Sequence, residues 1–118
     1  MSNLAVALDP LPTNFDVSVS VDGEVVTTEP YTLIIPAGFD GTITWTLTGA
    51  TFLNPPITFG GQNPPSFEVS TSSTTVVRRW GNTLPPPDPY SFYYTLRMMT
   101  ENGPISHDPT VENIPPTI

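Results

Sequence analysis

Phe15, Val17, Val19 and Val21 fall on one side of an extended backbone, and Asp16, Ser18 and Ser20 fall on the other. That period of two is the mark of a half-buried β-strand. Asp22-Gly23 follows and supplies the positive φ of a tight hairpin turn, after which residues 24–28 return as a second strand. In residues 31–36, YTLIIP, Tyr31, Leu33 and Ile35 share a face; Pro36 and the sequence AGFDG then read as a turn. Residues 42–48 alternate without error, with Ile43, Trp45 and Leu47 inward and Thr42, Thr44, Thr46 and Thr48 outward. One face of such a strand packs on a core and the other meets water, as in an antiparallel sheet.

The middle of the chain repeats Asn-Pro-Pro, at residues 54–56 and again at 63–65, each followed by a phenylalanine, Phe59 or Phe67. The repeat is too short for a solenoid unit. It predicts two turn-then-strand pieces, placed at sheet edges because proline cannot donate to an interior ladder. TTVVRRW and the stiff connection LPPPDP come next, then a strand in which Tyr90, Phe92, Tyr94, Leu96 and Met98 share a face opposite Ser91, Tyr93, Thr95 and Arg97. Towards the end, Pro104 and Pro109 bracket His107 and Asp108 as turn residues, and TVENI reads as a closing strand with Val111 buried. No stretch has a helical period. The expected fold is therefore an all-β, antiparallel β-sandwich of about seven to nine strands, immunoglobulin-like or cupredoxin-like. Residues 14–118 form its single domain, and residues 1–13 form an N-terminal arm or extra strand.

Composition narrows the function more than it defines it. Sixteen prolines and eight glycines punctuate the apolar runs, as expected of a β-protein rich in turns. Eleven acids stand against three arginines and no lysine, for a formal net charge of −8. Such a chain cannot build the basic face that nucleic acid requires, and it is repelled by anionic membrane surfaces. The lack of lysine removes Schiff-base chemistry, and the lack of cysteine removes disulfides, thiolate nucleophiles and type 1 copper. The first ten residues have neither the basic start nor the apolar length of a secretory signal, and no window is apolar enough for a membrane span. A cytoplasmic location, or a place in an assembled particle or filament, is the expectation.

The aromatic run Tyr90 to Leu96 and the final Asp108-Pro109-Thr110-Val111-Glu112-Asn113 resemble a set of small, uncharacterised bacterial β-sandwich proteins ending in Asp-Pro-x-Val/Ile-x-Asn. The likeness covers the C-terminal third. It implies fold and carries no catalytic residue over to this chain.

Candidate chemistry is sparse. His107, Asp108 and Glu112 offer metal ligands beside Met98 and Met99, but a turn and a solvated strand face account for them, and no cofactor or metal is expected. Loop acids such as Asp40, Asp88 and Asp108 lack the spacing of a calcium loop. A single histidine in a turn and the absence of a Gly-x-Ser-x-Gly elbow argue against an enzyme. Arg78 and Arg79 are adjacent on a strand and face opposite ways: either one leans inward beside Trp80 or Val77, or, as expected, the strand bulges or ends there and both reach solvent while stacking on aromatics such as Tyr93. The clearest hint is the arm itself: Leu4, Val6 and Leu8 alternate with Asn3, Ala5 and Ala7, a strand-like pattern ending at Asp9-Pro10. It pairs either with its own sandwich or with a neighbour's sheet. The expected role is a non-enzymatic module that self-associates as a homo-oligomer through edge strands and the arm. Leu4, Val6, Leu8, Arg79, Tyr93 and Arg97 are the interaction residues. The alternative is a small-ligand or calcium-binding module using loop acids and aromatics.

Overall fold

The computed structural model describes residues 12–62, 64–82 and 91–114, which form strands and turns with no helix among them. The first strands are β1 (Asn14–Asp22), β2 (Val25–Glu29), β3 (Thr32–Ile35), β4 (Asp40–Thr48), β5 (Thr51–Thr58) and β6 (Ser66–Thr71). They are followed by β7 (Thr75–Gly81), β8 (Ser91–Tyr93), β9 (Thr95–Thr100), β10 (Gly103–His107) and β11 (Thr110–Asn113). The predicted alternation holds in β1, where Val17, Val19 and Val21 are buried and their polar neighbours are exposed. Between β1 and β2 a two-residue loop joins the paired Asp22 and Val25, and positive φ occurs only at its first member, Gly23. That conformation suits the right-handed twist of the two strands.

One layer is a five-stranded sheet in the order β2-β1-β4-β7-β6. At its centre β4 buries Ile43, Trp45 and Leu47, as the threonine alternation predicts. The facing layer is built on a long hairpin. β9 pairs with β10 and β8 pairs with β11 in one continuous register, so that Thr95 stands opposite Asp108 and Tyr94 opposite Pro109. Tyr94 donates its N–H to the Pro109 carbonyl, but proline has no N–H to return, and the ladder breaks there into two short sheets. β3 adds to β11 at one end, and β5 adds to β9 at the other.

The layers meet through aromatic side chains. Trp45 donates its indole N–H to the Tyr94 hydroxyl at 3.0 Å, and Trp80 donates to Asn113 Oδ1 at 2.8 Å. Each buried indole of the large sheet is thus satisfied from the opposite layer, which removes a desolvation cost and fixes how the layers align. Phe39 belongs to the same core, tilted against Phe15 at 5.0 Å. The segment AGFDG is thus more than a turn: it inserts an aromatic under the end of the sheet, and Asn82 holds the loop by exchanging backbone hydrogen bonds with Gly38 and Phe39.

The all-β, sandwich-like architecture agrees with the sequence reading, with four corrections. The described residues form eleven strands rather than about seven to nine, because several predicted runs are split by turns and prolines. β1 runs parallel to β4 and β3 runs parallel to β11, so the sheets are not purely antiparallel. The run ending at Met98 is two strands rather than one, because of the break opposite Pro109. His107 lies at the end of strand β10, not in a turn; β10 tolerates Pro104 because it is an edge strand. Among the described residues no helix is long and apolar enough to cross a membrane.

Candidate functional site

Both Asn-Pro-Pro segments precede or lie in edge strands, β5 and β6, as their prolines predict. β6 is the more unusual. Pro65 accepts a hydrogen bond from the Gly81 N–H, and the chain then pairs, among the described residues, with β7 along one side only. The register shifts between Glu68 and Ser70, leaving Val69 as an extra, unpaired residue.

Buried Trp80 and Val76 on β7 define which side of the sheet faces the core, and their partners on β6 are Ser66 and Thr71. Glu68, opposite Arg78, lies on that side too, whereas Phe67 stands opposite exposed Arg79 on the solvent side. β6 therefore inverts the polarity of β1 and β4. Ser66, Glu68 and Thr71 stand on the core side, although only Ser66 is partly buried, and Phe67 and Val69 are left 64% and 56% exposed.

The inward polar face has a physical origin in Arg78. Its guanidinium lies over the Phe59 ring, 5.1 Å from the centroid, and its Nε donates to Ser66 Oγ at 2.8 Å. Burial lowers its pKa from the ordinary arginine value, and the Glu68 carboxylate partly offsets this. An arginine on the core side needs polar company, and β6 supplies it. Arg79 points the other way and forms a 3.1 Å ion pair with Asp40 on the surface. The expectation that both arginines reach solvent is corrected: Arg78 is half-buried on Phe59, not on Tyr93.

At the opposite edge of the large sheet, β2 exposes Val25, but Glu24 and Glu29 bracket the strand. Its Thr28 is buried, with an Oγ1 that has no partner among the described residues.

The remaining sequence candidates separate. Leu4, Val6 and Leu8 lie outside the described residues, as do Asp88 and Tyr90. Arg97 donates from Nη1 to the Pro55 carbonyl at 2.8 Å, clamping the place where four residues of β5, Leu53 to Pro56, stand against Arg97 alone. Tyr93 has an exposed ring on β8: Gln62 accepts its N–H at 2.9 Å and donates to the Ser91 carbonyl, doing what a neighbour strand would do there. Beside it is an open cleft of about 360 Å³ lined in part by Phe59, Gln62, Tyr93, Thr95 and Asp108.

His107 stacks edge-on against Tyr31, and its Nε2 is buried without a hydrogen-bond partner among the described residues. The Asp108 carboxylate accepts from Thr95, and Met98 and Met99 face opposite sides of β9. Among the described residues no three histidine, aspartate or glutamate side chains gather in a ligand cluster.

Sequence reasoning missed Phe67 and Val69. In isolation SFEVS reads as a strand burying both, and only the pairing with β7 turns Phe67 outward. No family model matches this chain, and neither does any curated protein.

Proposed function

We propose that this chain is a non-enzymatic structural module that self-associates through its edge strands and N-terminal arm, as the subunit of a homo-oligomer, filament or particle. The scaffold is a sandwich of the immunoglobulin-like or cupredoxin-like kind, with Trp45 on its central strand and an aromatic-rich late strand facing it. The likeness of its C-terminal third to small bacterial β-sandwich proteins fits that scaffold.

The observation that carries the reading is β6. Free sheet edges template pairing with other chains, and monomeric proteins guard them with charge, proline, bulges or cover; β6 has a bulge at Val69 but keeps an exposed apolar edge. β6 presents an edge whose exposed residues include Phe67 and Val69 and whose single acid, Glu68, stands opposite Arg78 on the inward side. The net charge of −8 keeps such a subunit soluble while disfavouring nucleic acid and anionic membranes as partners.

Static light scattering tests this. The full-length protein should run as a defined oligomer or polymer. A chain lacking residues 2–13, and a full-length Val69→Lys variant, should both fall to monomer. A full-length protein that stays monomeric up to about millimolar concentration, where even weak contacts saturate, would end the proposal.

A further inference from the structure

We infer that the occupant of the β6 edge is the N-terminal arm of a second copy, residues 3–8, added as a sixth strand to the neighbour's large sheet. This rests on the self-association proposed above and specifies which surfaces meet. Residues 3–8 match the six residues of β6 in length, and their apolar side chains Leu4, Val6 and Leu8 complement the exposed Phe67 and Val69. The arm carries no charge between Asn3 and Leu8, so it brings no acid against Glu68. The other edge of the same sheet, β2, is bracketed by Glu24 and Glu29 and is the poorer acceptor for an acidic chain.

Distance argues that the arm crosses to a neighbour. The Thr13 carbonyl accepts the Thr42 N–H, and the register places Thr13, Gly41, Trp80 and Ser66 in one row across the sheet. A strand added outside β6 would lie four strand spacings from Thr13, roughly 19 Å. Four residues lie between Leu8 and Thr13, and the five Cα–Cα steps span at most about 18 Å when fully extended. Pro10 and Pro12 stiffen this linker further. Even fully extended, the linker barely reaches the β6 edge of its own chain, which favours a neighbour's β6 as the arm's partner. The contact is heterologous, arm to edge, so repetition closes a ring or extends a filament.

The chain has no cysteine, so introduced thiols are unique. A Val6→Cys chain carrying a mass tag is mixed with an untagged Val69→Cys chain and treated with a short bis-maleimide. Val6 and Val69 are central in their segments and meet whichever way the arm runs. The expected product is a tagged–untagged dimer that the Val6→Cys and Val25→Cys pair does not give. Linkage to Val25 instead, or to neither while light scattering still shows association, overturns the arm-to-β6 contact and leaves self-association standing. A link within one chain in a dilute Val6→Cys/Val69→Cys protein overturns it in favour of folding back. A monomer at every concentration ends both.

Discussion

The indole N–H of Trp45 points across the sandwich at the hydroxyl of Tyr94, 3.0 Å away, and the two rings meet edge to face. Both side chains are almost wholly buried, so neither polar group has water as a substitute. Tyr94→Phe keeps the ring and removes the acceptor. Leaving the indole donor unsatisfied should cost about 1–3 kcal/mol, read as a lower urea midpoint with an unchanged m-value.

The same tyrosine makes stability sensitive to alkali. Burial raises the Tyr94 phenol well above its ordinary value of 10.0, although the Trp45 hydrogen bond works the other way. Below pH 10 both folded and unfolded chains hold this proton, and its contribution to stability is fully present. Above that, the unfolded chain releases it first and binds fewer protons than the folded one, so stability falls as pH rises. The slope attributable to one such group approaches about 1.4 kcal/mol per pH unit. Urea midpoints measured from pH about 9 to about 11.5 should fall less steeply in Tyr94→Phe than in the wild type.

A Cβ added at Gly41 would collide with the Thr13 carbonyl and with the Phe39 ring. Gly41→Ala should lose about 1–3 kcal/mol, as overpacking does where backbone cannot yield. Gly81, on β7 with open space around it, is the control: Gly81→Ala should move the melting temperature little. Equal effects would contradict the close approach of Thr13 to β4.

Adjacent arginines should behave differently. The Arg79–Asp40 pair is open to solvent, with side chains 46% and 63% exposed, so Arg79→Ala should change stability by less than about 1 kcal/mol. Arg78→Ala removes a guanidinium from the Phe59 ring and from Ser66, and should cost about 1–2 kcal/mol. Chemical denaturation of the two variants side by side measures the difference.

Divalent ions should leave the fold unchanged. Met98 is buried and Met99 exposed, the His107 Nε2 is enclosed, and the Asp108 carboxylate is engaged by Thr95. Thermal melts with calcium, zinc or copper, each repeated with chelator, are expected to coincide. A rise that the chelator reverses would contradict this arrangement.

Much of the fold is legible in the sequence, because the side-chain period of a strand is a local property. Val17 to Val21, Ile43 to Leu47 and Phe92 to Met98 alternate in the sequence as they alternate in burial. Proline's missing donor likewise places β5 and β6 at edges without reference to any partner. Composition excludes whole classes of chemistry for the same local reason, since a chain without lysine or cysteine lacks those groups in any fold.

Tertiary structure alone decided which strands pair and which side of each faces the core. The parallel partners of β1 and β3 lie far along the chain, and no local pattern encodes them. β10 was hidden because Pro104 and Pro109 read as turn residues, while the strand's only partner among the described residues is β9. Phe67 shows the principle most clearly. Its own segment alternates as though to bury it, yet pairing with β7 sets Glu68 opposite inward Arg78 and turns Phe67 to solvent opposite Arg79. Because the period is two, the partner's register decides which face is buried.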